Sequence, residues 1–269
     1  MDILQQAITE FKAQTAREYI ALHASPCADM TVYQSKFGGV PYLPAGFPYP
    51  YSRLNPEQPL RLLAQINFAE MPPLADFPER GILQIYIDPA DDRFFGCDRQ
   101  IAHFEKRQVA PQSAYRVIWH ESPDLSAPCS ADIPDFDGEF PVSQPERITF
   151  EKKTGYMPYH SYGENPFEEA FVPVYNKYAE EPVGLIEDIE NGEYLLEKTF
   201  DIRGTEHKLG GYRDDVWTPK WPDTEVLLLQ IASDGVTEWG DDGIAHFTMT
   251  HEALRNRDFS RVDYNWECY

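Results

Sequence analysis

Leu62-Leu63-Ala64-Gln65-Ile66 and Leu227-Leu228-Leu229-Gln230-Ile231 are near-copies of one short apolar run, with a glutamine at the same place in each. Two more blocks echo in the same order. Lys36-Phe37-Gly38-Gly39 precedes the first run and Lys208-Leu209-Gly210-Gly211 the second; Gly81-Ile82-Leu83-Gln84-Ile85 and Gly243-Ile244-Ala245-His246-Phe247 follow them. One such match arises easily by chance, three in order much less so. The echo implies a duplicated antiparallel β unit whose two copies are related by a pseudo-two-fold and share one core.

Outward from these runs the chain reads as short apolar segments separated by proline and glycine. Residues 60–68, 81–87, 114–119, 225–232, 244–249 and 260–268 have the length and composition of strands. In the last, Val262, Tyr264, Trp266 and Cys268 alternate with polar residues, which gives one buried and one wet face. Residues 2–22 carry Ile3, Leu4, Ala7, Ile8, Phe11, Thr15, Tyr19 and Leu22 at three- and four-residue spacing, and this predicts an amphipathic helix capped by Asp2. The expected organisation is a single mainly β (α+β) domain over 1–269: helix within 1–25, first β repeat 30–120, acidic insertion 121–200, second β repeat 201–269. Helical pieces are expected near 167–178 and 184–198.

The net charge is −22, from 45 acidic and 23 basic residues. Such a surface repels nucleic-acid phosphates and anionic membranes and attracts a basic protein. The acids concentrate in the middle, where residues 121–200 hold 18 acidic against 5 basic side chains. Asp132, Asp135, Asp137, Glu168, Glu169, Glu180 and Glu181 are therefore the candidate partner-binding residues.

Catalytic and metal signatures are not apparent. Cys27, Cys97, Cys129 and Cys268 form no CxxC pair, so neither a zinc site nor a disulfide framework is expected. His251-Glu252 begins a zinc-protease run, but Arg255 stands in place of the second histidine. The acidic turn 132–138 lacks both anchoring ligands of a calcium loop. No cofactor is expected. The N-terminus has no basic and apolar leader pattern, which makes the cytoplasm the expected location.

Two features invite a chemical reading beside a structural one. Gln65 and Gln230 sit in otherwise apolar strands, where a buried amide must find partners. They could bond to backbone, to each other, or line a polar cleft between the halves. Trp239, Asp241 and His246 surround a turn and strand that could hold an acid/base pair, though Asp-Gly turns and core tryptophans are ordinary structure. These five residues are the ligand-pocket candidates. Gly38-Gly39 and Gly210-Gly211 are expected to supply positive φ at tight turns.

Together, residues 35–41, 63–66, Leu229-Gln230-Ile231, residues 239–247 and the ending Arg257-Asp258-Phe259…Tyr264-Asn265-Trp266-Glu267-Cys268-Tyr269 resemble the bacterial YwqG-like proteins. That resemblance implies a mainly β duplicated fold with an N-terminal helix, and supplies no reaction. The expected function is a non-enzymatic protein-binding protein, such as an immunity protein neutralising a basic toxin. The alternative is an enzyme or small-ligand receptor using a cleft between the repeats.

Overall fold

A computed structural model describes the chain except residues 1, 90, 107, 127–128, 130–132, 137, 160–165, 201–205, 215–224 and 269. Among the described residues ten strands form one sheet: β1 (Arg17–Pro26), β2 (Lys36–Phe37), β3 (Arg61–Asn67), β4 (Ile82–Ile87), β5 (Tyr115–His120), β6 (Glu146–Gly155), β7 (His207–Gly210), β8 (Glu225–Ala232), β9 (Ile244–Thr250) and β10 (Asp263–Glu267). Their order across the sheet is β10-β9-β8-β7-β1-β6-β2-β3-β4-β5, and neighbouring strands pair antiparallel.

Ten flat strands would span roughly 43 Å at the usual strand spacing of about 4.8 Å. Yet the Tyr115 hydroxyl on β5 donates to the Val262 carbonyl at 2.8 Å, and the rings of Tyr115 and Tyr264 on β10 lie 5.3 Å apart. The sheet therefore curls until its two edge strands meet. The concave side is apolar. Ile20, Leu22, Phe37, Leu83, Ile85, Leu229, Phe247 and Tyr264 belong to one buried cluster there.

The helix at the N-terminus, α1 (Ile3–Thr15), is shorter than its apolar spacing implies. Asp2 caps it by accepting from the Leu4 N–H, as expected. Ala16 then leaves helical geometry with ψ 124°, and residues 17–26 become the centre of the sheet. Tyr19 and Leu22, placed on one helical face by spacing, lie on opposite faces of a strand. Ten register pairs with β6 and four with β7 satisfy that backbone from both sides, and this outweighs a local helical pattern.

The middle of the chain is also not one surface insertion. Residues 146–155 run through the sheet as β6. The expected helices appear as α3 (Pro166–Tyr175) and α4 (Gly192–Phe200), with α2 (Asp98–Glu105) and α5 (His251–Arg255) elsewhere. Phe11 of α1 meets Phe167 and Phe171 of α3 and Phe200 of α4 edge-on, at 4.8, 5.3 and 5.6 Å. These rings form a second core, separate from that of the sheet. No helix among the described residues is long and apolar enough to cross a membrane.

Candidate functional site

A register shift falls between Leu62 and Ala64 on β3, and another between Leu227 and Leu229 on β8. A bulge sends two successive side chains to one side and inverts the alternation beyond it. Leu63 and Ala64 thus both join the concave core, as do Leu228 and Leu229. Gln65 and Gln230 are turned to the convex side. Each then sits between a lysine on one neighbouring strand and a polar residue on the other: Lys36–Gln65–Gln84 and Lys208–Gln230–His246.

The first cluster is closed by backbone. Gln65 Oε1 accepts from the Tyr42 N–H and from Gln84 Nε2, both at 2.8 Å. Its Nε2 donates to the Val32 and Gln34 carbonyls at 2.8 and 2.9 Å. Gln84 Nε2 also reaches the Tyr42 carbonyl, while its Oε1 takes the Tyr86 hydroxyl and faces His120 Nε2 at 3.1 Å. Lys36 is 1% exposed, and its ammonium donates to the Thr31 and Val40 carbonyls at 2.7 and 2.9 Å. Burial, opposed only in part by Glu70, pushes the Lys36 pKa down to about 8.

The second cluster is closed by charge. Lys208 Nζ lies 2.7 Å from Asp214 Oδ1, both side chains being almost fully buried. Asp214 Oδ2 accepts from Gln230 Nε2 at 2.6 Å, and Gln230 Oε1 accepts from the Asp214 N–H at 2.9 Å. The same Nε2 donates to the Glu206 carbonyl. His246 is buried beside this set, and its Nε2 has no hydrogen-bond partner. Burial first, then the charge of Arg213, hold its pKa well below the usual value, so the ring is neutral.

The five ligand-pocket candidates therefore do not converge. Gln65 and Gln230 bond within separate clusters and not to each other. Only Gln230 and His246 are neighbours, as a cross-strand pair. Trp239 is fully buried in the concave core against Phe95, Tyr264 and Trp266. Asp241 is exposed on the turn. That turn is built tightly, since a Cβ on Gly243 would lie 2.2 Å from the Trp239 carbonyl. The glycine pairs at 38–39 and 210–211 do have positive φ, between 61° and 72°.

The acidic candidates divide as well. Glu168, Glu169, Glu180 and Glu181 belong to the segment around α3. There Glu168 accepts from the Ile186 N–H, whereas the other three are exposed. Asp135 lies elsewhere, next to Phe136, whose ring packs on Tyr49 and lies 5.8 Å from the Arg61 guanidinium. Asp132 and Asp137 lie outside the described residues.

A concavity among the described residues lies away from these candidates. A cleft of about 150 Å³ is lined by Tyr19, Gly155, Tyr156, Thr199, Phe200, Glu206, Lys208 and Tyr212. It lies where the end of α4 meets β1, β6 and β7. Glu206 accepts from the Tyr19 hydroxyl at 2.8 Å and from Lys153 at 2.7 Å. Burial, then the bond to Glu206, raises the Tyr19 pKa, so the phenol stays protonated. The one sequence signal for this region was the matched lysine in Lys36-Phe37-Gly38-Gly39 and Lys208-Leu209-Gly210-Gly211. Among the described residues, no group of three or more His, Cys, Asp or Glu side chains is placed to hold a metal ion.

Fold and site define a curled, mainly antiparallel β protein with two buried lysine–glutamine clusters. The chain belongs to a family known as a domain of unknown function, DUF1963, whose model matches residues 35–268. No curated protein matches the sequence.

Proposed function

We propose that the protein is a non-enzymatic cytoplasmic binding protein that takes a basic protein partner on the acidic side of its helical layer, in the manner of an immunity-type inhibitor of a basic toxin. The observation that carries this reading is the charge on α3, α4 and the segment between them. Glu169, Glu180, Glu181, Glu187, Asp188, Glu190, Glu193 and Glu197 are all exposed. Between Glu168 and Glu197 the sole basic residue is Lys177, and it is paired with Glu10. Carboxylates in that arrangement add their fields and accelerate encounter with a cationic surface. The apolar side of the same helices is spent on a core of its own, which leaves the charged side as the face on offer.

The family membership is compatible with the YwqG-like resemblance and supplies no reaction. The mirrored strand order about β1 and β6, the two bulges and the matched Lys–Gln positions support descent of β2–β5 and β7–β10 from one duplicated unit.

Capture from the native cell with the wild-type protein and with a Glu180→Lys/Glu181→Lys/Glu187→Lys variant tests the proposal. A basic protein should be retained by the wild type and lost by the variant. Its association rate should fall steeply from roughly 0.01 M to 1 M salt, as the Debye length shrinks from about 30 to about 3 Å. A rate indifferent to salt would count against the acidic layer as the contact surface.

A further inference from the structure

From the cleft beside the second cluster we infer a binding site for a small alkylated ammonium ion of the trimethylammonium type. Four of its eight lining residues are aromatic, Tyr19, Tyr156, Phe200 and Tyr212, and its acidic residue is Glu206. Aromatic faces attract cations through the ring quadrupole, and cages of such rings are how quaternary ammonium groups are recognised. The chain's own cations already show this at every ring. Lys12 Nζ lies 5.1 Å from the centroid of Tyr156 and 5.4 Å from that of Phe200; Arg17 lies 4.3 Å from Tyr212, and Lys208 lies 5.9 Å from Tyr19. Lys12 and Arg17 are not among the lining residues.

Both charged groups of the lining are ion-paired, so the rings and not a net charge select the ligand. Lys208 is held by Asp214 at 2.7 Å in a buried pair. Among the described residues Glu206 is ion-paired with Lys153 at 2.7 Å through one oxygen and accepts from the Tyr19 hydroxyl at the other. A carboxylate has about four acceptor sites, so it retains capacity toward a ligand. Size agrees too. About 150 Å³ is the volume of a cavity that accepts benzene, close to what a tetrahedral methylated nitrogen fills. Room beside Tyr19 depends on a glycine, because a Cβ on Gly155 would come within 3.3 Å of the Tyr19 ring. The acidic helical surface is not needed for this site, and the two proposals stand or fall separately.

The test is titration of the full chain with choline, followed through the N-methyl proton resonance, with tetramethylammonium as competitor. Its control is the neutral isostere in which carbon replaces the nitrogen. Choline should bind saturably and be displaced by tetramethylammonium, and the isostere should bind at least about tenfold more weakly. Glu206→Gln and Tyr156→Leu should each weaken choline binding by about five- to tenfold, and Tyr156→Phe should retain it. Gly155→Val, at a backbone position without positive φ, should block binding while the melting temperature stays near that of the wild type. Three results would overturn the assignment: equal binding of the isostere, no saturable binding of either cation, or unchanged affinity in both Tyr156→Leu and Gly155→Val.

Discussion

Lys36–Gln65–Gln84 and Lys208–Gln230–His246 occupy matching positions on matching strands, yet they solve the burial of a lysine in opposite ways. In the first, the ammonium donates to two backbone carbonyls. In the second, it faces the carboxylate of Asp214. Gln65 and Gln84 of the first set are tied down by the segment 31–42, to which Lys36 itself belongs. The second lies at the cleft, with Lys208 in its wall. Neutral dipoles seal a buried charge at the cost of its proton affinity. A counter-charge pairs the lysine directly and allows a polar concavity beside it.

Breaking the charged solution should have the largest effect. Asp214→Ala would leave the Lys208 ammonium buried and unpaired, at a cost of about 3–5 kcal/mol in urea unfolding. Lys208→Met/Asp214→Leu should recover much of that loss, since no charge then remains to be compensated. If the single and double variants were equally destabilised, charge would not be what distinguishes the second cluster.

The glutamines come next. Gln65→Leu would orphan the Tyr42 N–H and the Val32 and Gln34 carbonyls, and should cost about 2–3 kcal/mol in the same measurement. Gln230→Leu should cost a similar amount, but because it also strips Asp214 of a donor, its effect should shrink in the Lys208→Met/Asp214→Leu background. Gln65→Leu should be indifferent to that background.

The smallest effect sharpens the comparison through pH. Folded Lys36 loses its proton near pH 8, whereas the unfolded chain holds it to about pH 10.5. Unfolding between those values therefore takes up a proton at Lys36, and this contribution to stability rises with pH across that window; below pH 8 both states are charged and it is level. The buried Cys97 thiol, raised to about 11, and the buried tyrosines act in the opposite sense, so the Lys36 contribution is read as the difference between wild type and Lys36→Met, which should grow by about 1–2 kcal/mol from about pH 8 to pH 9.5. Parallel profiles for the two proteins would mean that the carbonyls hold the ammonium as well as water does.

Much of the sheet was legible along the chain. Six strands have sequence-local signals, runs of Leu, Ile, Tyr and Trp between turn residues, and their bounds in the structure lie within three residues of those read from composition. The four that escaped are β1, β2, β6 and β7. Of these, β1 carries a stronger helical spacing than strand alternation, and β6, with Glu146, Glu151, Lys152 and Lys153, looks like solvated surface. β2 and β7 are two and four residues long, too short for any periodicity. Their identity as strands comes from partners distant in sequence.

The sites follow the same division. That Gln65 and Gln230 need hydrogen-bond partners follows from an amide in an apolar run, and that much the residues alone determined, along with the acidic surface and the positive-φ glycines. Which partners they take is set by two bulges and by where the segments 31–42 and 206–214 come to rest. The joining of Tyr19, Tyr156, Phe200, Glu206 and Tyr212 around one cleft was decided by tertiary structure alone. These side chains come from four separate stretches of chain, and only strand pairing and helix packing bring them together.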